Sequence, residues 1–135
     1  MEYVKETGEF KFLDEVVTYA DKGQGTVYEH MKKILDFSGE QVGKTGICKG
    51  LRADWNDCLN LGGGESALVT FLHYWALRNF LEIAEYRADR GNQEAEEDLI
   101  RYRNMAERVR RVSRQLWDEE WYIRGITKED RKSVV

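Results

Sequence analysis

Proline is absent from this sequence of 135 residues. Because proline interrupts helices more strongly than any other residue, its absence favours a mostly helical protein. Cysteine is scarce: Cys48 and Cys58 stand ten residues apart, and His30 and His73 fall at none of the spacings that mark a zinc finger. We therefore expect free thiols in a reducing compartment, and no metal site.

The sequence also has no long apolar run and no excess of basic residues. The uncharged run around the apolar residues extends only from Ser66 to Leu77, whereas a membrane-spanning helix needs roughly 17 to 25 apolar residues. The mixed charges from Glu2 to Glu9 do not fit a signal peptide. A net charge of −4 and a pI near 5.3 argue against a dedicated nucleic-acid binder. We expect a cytoplasmic protein whose partners include neither a membrane nor a nucleic acid.

The periodicity of apolar residues predicts an all-α chain in which a long loop separates helices. Thr26 and Glu29 form a capping box, which marks a helix start. The loop holds six glycines and has about 25 residues, and loops beyond roughly 12 to 15 residues in compact domains tend to be functional or disordered. Its Trp55 and its leucines argue against disorder. We expect helices near 26–39, 65–88 and 93–120, and an active-site loop over 40–64.

The second and third predicted helices differ in type. The first half of helix 65–88 is apolar almost all round, which is typical of a helix that is buried on every side. Helix 93–120 has one apolar stripe, with acidic residues at its start and arginines in its second half, as expected of a solvated outer face that complements the helix dipole. Concentric layers of helices would accommodate both types, although three helices cannot supply two layers.

Two familiar ligand-binding patterns fail on their spacing. The tripeptide 43–45 reads Gly-Lys-Thr, as at the end of a phosphate loop, but Ser38 stands where the first glycine is required. Acidic and amide residues from Asp54 onward match several ligand positions of a calcium EF-hand loop. In that alignment Leu59 occupies the position at which the sharp turn requires glycine. We expect neither a phosphate loop nor a calcium site.

The segment 50–66 carries groups that suit carbohydrate chemistry. Asp54 and Asp57 flank Trp55, and both the like charge and an apolar indole disfavour ionisation, so one carboxyl can hold its proton near neutral pH. Such an acid can protonate a glycosidic oxygen. Trp55 offers a flat face to a sugar ring, while Arg52 and Asn56 can donate hydrogen bonds to hydroxyls. The same residues also shape loops through Asx-turns, and the residues alone leave both interpretations open.

A resemblance to a known family extends over most of the chain, from about Glu15 to Glu129. The run GLRADWNDCLNLGGGES resembles the cellobiose phosphorylase type of inverting glycoside phosphorylases, in glycoside hydrolase family 94. TVYEHMKKILDFS and VGKTGICKG before it, and LWDEEWYIRGITKE after it, share that resemblance. It implies an (α/α)₆ barrel, of which this chain would supply about three helices.

The resemblance also implies a reaction and a set of site residues. The second aspartate of the D-W-N-D motif, Asp57, corresponds to the general acid, and Trp55 lies against substrate. We assign Trp55, Arg52 and Asp54 to substrate binding. The implied reaction is reversible phosphorolysis of cellobiose, or of a related β-1,4-linked disaccharide, to α-glucose 1-phosphate and a free sugar. Inorganic phosphate is the co-substrate, no cofactor is implied, and members of the family are usually homodimeric.

The resemblance further implies that this chain is an internal segment of a longer protein. In the family the residues that hold phosphate lie beyond the region covered here. We therefore expect the isolated chain to be catalytically inactive, and to be poorly soluble or oligomeric because the apolar second helix would have an unmatched face. Two alternatives remain: an inverting hydrolase on the same kind of barrel, and a non-catalytic helical module that binds carbohydrate or another partner.

Overall fold

The computed structural model describes residues 1–51, 61, 63–129 and 132–133. Within them the chain is mostly helical, with short strands. The α-helices are α1 (Glu2–Thr7), α2 (Val27–Glu40), α3 (Ala67–Ala88) and α4 (Gln93–Ser113), with 3₁₀ helices at Phe10–Asp14 and Arg114–Leu116. The strands are β1 (Val16–Thr18), β2 (Gln24–Thr26), β3 (Glu65–Ser66), β4 (Gly125–Ile126) and β5 (Lys132–Ser133).

Helices α3 and α4 form a helical hairpin that carries most of the core. Gly91, with φ of +79°, lies in the short connection, and the Asn92 side chain caps α4 by accepting a hydrogen bond from the N–H of Ala95 at 2.8 Å. Helix α2 and the N-terminal segment pack against this hairpin. The buried cluster that they share consists of Val4, Leu13, Tyr28, Leu35, Leu77, Phe80, Ile83, Ala84, Tyr102, Ala106 and Val109.

The capping box predicted at the start of α2 is confirmed. The Thr26 hydroxyl accepts from the N–H of Glu29 at 3.1 Å, and the Glu29 carboxylate accepts from the N–H of Thr26 at 2.6 Å. Polar contacts then join α2 to α4. Lys32 lies 2.9 Å from the buried carboxylate of Asp98, and Asp36 accepts a hydrogen bond from the hydroxyl of Tyr102 at 2.9 Å.

The observed helix ends differ from the predicted ones in the second and third helices. The predicted helix 65–88 begins two residues later, at Ala67, because residues 65 and 66 pair with β4 as strand β3. The predicted helix 93–120 ends as an α-helix at Ser113 and continues as a 3₁₀ turn only to Leu116. Beyond it, Trp117 bridges to Tyr122 across a turn in which Glu119 has a φ of +68°, a conformation that no helix accommodates.

Among the described residues the second predicted helix, α3, is covered on one side only, which agrees with the unmatched face expected of a segment of a longer protein. One side of α3 faces the core through Leu77, Phe80 and Ile83. On the other side Leu72 is 52% exposed and Trp75 is 56% exposed. An apolar residue pattern reports what a helix would bury, whereas burial itself requires a neighbouring element.

The strands hold distant parts of the chain together. Strands β1 and β2 form an antiparallel hairpin before α2. Strand β4 pairs with β3 on one side and with β5 on the other, so the residues just before α3 lie beside the C-terminal region. Among the helices that the structure describes, none combines the length and the hydrophobicity of a membrane span. The (α/α)₆ barrel stays a prediction, since four α-helices do not close it.

Candidate functional site

The four residues that the sequence assigns to the site lie outside the described residues. These are the proposed acid Asp57 and the proposed substrate-binding residues Arg52, Asp54 and Trp55. The structure describes the frame from which the segment 52–60 departs and to which it returns. That frame consists of the turn before it, the glycines after it, and strands β3 and β4.

The two ends of the frame are hydrogen-bonded to each other. The N–H of Gly50 donates to the carbonyl of Gly64 at 3.0 Å, and the N–H of Gly64 donates to the carbonyl of Leu61 at 2.9 Å. Leu61 is 7% exposed, so its side chain anchors the returning end. A Cβ atom at position 64 would overlap the carbonyl oxygen of Ile126, so only glycine allows this approach to β4. Gly50 and Gly64 therefore lie together at the base of the stretch that they flank.

Glu65 joins the returning end of the frame to the turn before it. The side chain is buried at 5% exposure. One carboxylate oxygen accepts from the N–H of Thr45 at 2.9 Å, and the other accepts from the Thr45 hydroxyl at 2.9 Å. Hydrogen bonds to an ionised acceptor are about twice as strong as those between neutral groups. We call this pair of residues the Glu65–Thr45 clamp.

The tripeptide that resembles a phosphate loop is part of a tight turn. The N–H of Gly43 donates to the carbonyl of Ile47, and the N–H of Gly46 donates to the carbonyl of Gly43. The N–H of Thr45, which a phosphate loop would aim at its ligand, is occupied by the Glu65 carboxylate. A phosphate at this N–H would meet the carboxylate that already accepts from it. The described residues also hold no group of three or more metal-ligating side chains.

A cleft of about 420 Å³ opens beside the clamp. It lies between the turn, the glycines that precede β3, and the residues that follow β4. Three lysines line it together with Glu65 and the glycines: two lysines come from the turn and the residues just after it, and one follows β4. The lining residues are Val42, Gly43, Lys44, Lys49, Gly63, Gly64, Glu65, Thr127 and Lys128.

A buried thiol and imidazole lie behind the clamp. The Sγ of Cys48 lies 3.5 Å from Nδ1 of His73, and Nε2 of His73 lies 3.1 Å from the carbonyl oxygen of Leu35. Burial raises the pKa of the Cys48 thiol. Burial also lowers the pKa of His73, and the positive charge of Arg108 acts in the same direction. Both side chains are therefore neutral near pH 7. The pair connects α2, the turn and α3 through contacts between uncharged groups.

Sequence reasoning missed the clamp and the Cys48–His73 pair. The sequence predicts only a helix start at Glu65, and it places His73 at no zinc-finger spacing. A polar residue between glycines and an apolar run does not by itself indicate a buried hydrogen-bonded pair. The partner of Glu65, Thr45, lies twenty residues away in the sequence. The arginines of α4 agree with the predicted solvated face: Arg110 pairs with Glu107 at 2.8 Å on its exposed side.

Known proteins match nearly the whole chain. The family model described as the catalytic domain of the glycosyl hydrolase 94 superfamily matches residues 1–134. The chain is 57% identical to an N,N'-diacetylchitobiose phosphorylase of Vibrio furnissii and 56% identical to one of Vibrio proteolyticus, over 98% and 96% of its length. It is 35% identical to a solabiose phosphorylase of Paenibacillus borealis, over 96% of its length.

The chain is short beside these relatives. It spans 16% of the length of each Vibrio protein and 17% of the length of the Paenibacillus protein. The match to the family nevertheless covers all but one of its residues, including the segment that carries Asp57. The chain therefore belongs to the glycosyl hydrolase 94 superfamily and corresponds to part of its catalytic domain.

Proposed function

We propose that this chain is the acid-bearing part of an inverting glycoside phosphorylase that acts on a β-linked disaccharide. The observation that carries the proposal is the identity of 57% and 56%, across nearly all of the chain, to two proteins named as disaccharide phosphorylases. The acid is Asp57. Its surroundings in sequence, a second carboxylate and an indole, are those that keep a carboxyl group protonated near neutral pH.

In the proposed reaction Asp57 donates its proton to the glycosidic oxygen as the bond between that oxygen and the anomeric carbon breaks. A phosphate oxygen forms a bond to the same carbon from the opposite face, so a β-linked substrate yields an α-linked sugar 1-phosphate and a free reducing sugar. Phosphate is already an anionic nucleophile, so the reaction requires no second carboxylate as a base. Trp55 stacks on a sugar ring, and Arg52 and Asp54 bind sugar hydroxyls.

The names of the relatives favour an acetamido disaccharide as the substrate. The resemblance read from the sequence implies cellobiose or a related β-1,4-linked disaccharide, a class that includes chitobiose and longer cellodextrins. The Vibrio proteins, which share more than half of the residues, are named for N,N'-diacetylchitobiose. We therefore propose N,N'-diacetylchitobiose first and cellobiose second, to be separated by comparing phosphorolysis rates on the two sugars.

The test requires a complete catalytic domain, since this chain spans only 16% of its Vibrio relatives. Residues 1–135 replace the matching stretch of the Vibrio furnissii protein, and the chimera then carries Asp57→Asn. Loss of a general acid typically costs 10²- to 10⁴-fold in rate, and we expect a loss of about that size in sugar 1-phosphate formation. Asp89→Asn, at the C-terminus of α3, is the control and should leave the rate unchanged.

Undiminished formation of sugar 1-phosphate by the Asp57→Asn chimera would remove the assignment of the acid. Sugar release that continues without phosphate would favour the hydrolase. Tight binding of a disaccharide by the isolated chain, measured by calorimetry, would favour the non-catalytic module.

A further inference from the structure

Glu65 lies where the frame around the proposed acid is tied together. It stands eight residues after Asp57 and directly follows the triple glycine 62–64. Its backbone pairs with Ile126 of β4 on one side and bridges to Lys49 on the other. Next to it, the N–H of Ser66 donates to the carbonyl of Cys48 at 2.8 Å. One residue therefore contacts the turn, the outgoing end of the frame and β4.

The side chain of Glu65 adds something that these backbone contacts do not provide. Both of its oxygens are taken by Thr45, at 2.9 Å each, and the carboxylate is buried. Removing a carboxylate from water costs free energy unless hydrogen bonds in the protein replace those to water, so a buried acid at this position requires a hydrogen-bond donor. The clamp supplies the partner, and it holds the turn 43–46 against the base of the stretch that carries Asp57.

We propose that Glu65 is a positioning residue for the reaction, acting through the Glu65–Thr45 clamp. This inference rests on the proposed function, since it assigns Glu65 a role toward the acid Asp57. A general acid must be placed to within a fraction of an ångström of its target, and a misplacement of about 1 Å can cost roughly 10²-fold in rate. The clamp and the hydrogen bond between Gly50 and Gly64 meet at adjacent residues, Gly64 and Glu65, so the clamp holds the point to which the acid-bearing stretch returns.

The experiment uses the chimera described above. Glu65→Ala removes both acceptors, and Thr45→Val removes one of the two donors, the hydroxyl, while it keeps the shape of the side chain. Glu65→Gln and Thr45→Ser are the conservative variants, because each retains side-chain hydrogen-bonding capacity. Glu129→Ala is the control, since Glu129 is an exposed acid beyond the cleft.

We expect Glu65→Ala to lower kcat by roughly 10- to 100-fold with little change in KM, because substrate binds while the acid is misplaced. Thr45→Val should have a smaller effect of the same kind, and the conservative variants should recover most of the rate. An aryl glycoside with a nitrophenolate leaving group needs no proton. On that substrate the rate of Glu65→Ala should return to within a few-fold of the unsubstituted chimera.

Equal loss on the disaccharide and on the aryl glycoside would overturn the inference, because it would indicate a merely structural role. So would full activity of Glu65→Ala in a chimera that Asp57→Asn inactivates. If Asp57→Asn is itself active, the proposed function is wrong whatever Glu65→Ala does. The failure of the proposed function is thereby distinguished from the failure of the inference about Glu65. Thermal unfolding checks that each variant folds. If Glu65→Ala does not fold, Thr45→Val replaces it, and its rate on the disaccharide is compared with its rate on the aryl glycoside by the same criterion.

Discussion

Among single residues, His73 shows best how burial changes chemistry. Its ring is 4% exposed, one nitrogen lies against the carbonyl of Leu35, and the other lies against the thiol of Cys48. Protonation would place a positive charge in this apolar site, close to Arg108, and the pKa of His73 is lowered accordingly. In the unfolded chain the same imidazole titrates near its ordinary value of about 6.5.

We therefore expect the free energy of unfolding to fall as the pH drops below about 6.5, because the unfolded chain binds a proton that the folded chain does not. The loss from this one group cannot exceed about 1.4 kcal/mol for each pH unit. Urea unfolding at several pH values between 5 and 7.5 measures it. His73→Gln should flatten the dependence whatever its effect at neutral pH. An unchanged slope in His73→Gln would refute the explanation.

On the scale of elements, two adjacent glycines perform different tasks before β3. Gly63 has a φ of +81°, and a Cβ atom there would meet nothing within 4 Å, so its role is conformational. Gly64 has no positive φ, but a side chain there would overlap the carbonyl oxygen of Ile126, so its role is steric. The close approach allows β3 to pair with β4 and thereby orients the start of α3.

We expect Gly63→Ala to lower the free energy of unfolding by about 1–2 kcal/mol, the usual cost of a left-handed conformation for alanine. Gly64→Ala should cost more, about 3 kcal/mol, because the backbones of both strands must move apart. Denaturant unfolding of the two variants provides the comparison, and each serves as the control for the other. Equal costs would show that the contact with Ile126 relaxes without penalty.

For the molecule as a whole, the uncovered face of α3 is the dominant feature. Phe71, Leu72 and Trp75 are exposed side by side, and Tyr122 packs edge-on against Phe71 with ring centroids 5.1 Å apart. Contiguous apolar surface of this kind marks a contact site. The chain spans 16% of its Vibrio relatives, which agrees with a face that the rest of a catalytic domain covers.

We expect the isolated chain to associate through this face, as the apolar second helix already suggested. Sedimentation velocity should show oligomers that dissociate in the double variant Leu72→Gln, Trp75→Gln. Ile100→Gln is the control, because Ile100 is 68% exposed on α4 and lies outside that face. A chain that sediments as a monomer would contradict this expectation.

The features that could be predicted from the amino-acid sequence are local ones. The capping box at Thr26 and Glu29, the mostly helical character and the resemblance carried by segment 50–66 all depend on neighbours within a few turns of chain. The approximate range of α2, predicted over 26–39 and observed at Val27–Glu40, is local for the same reason. The proposed acid belongs to this group, since its assignment comes from a contiguous motif and stays a prediction.

Contacts between residues that are distant in the sequence could be identified only from the fold. Thr45 reaches Glu65, Cys48 reaches His73, and Ile126 pairs with Glu65, and none of these contacts follows from periodicity. Strands of two residues carry no readable pattern, and a buried polar side chain is recognised only once its partner is in place. The exposure of α3 belongs here too, because burial is a property of the neighbours that a helix finds and not of its own residues.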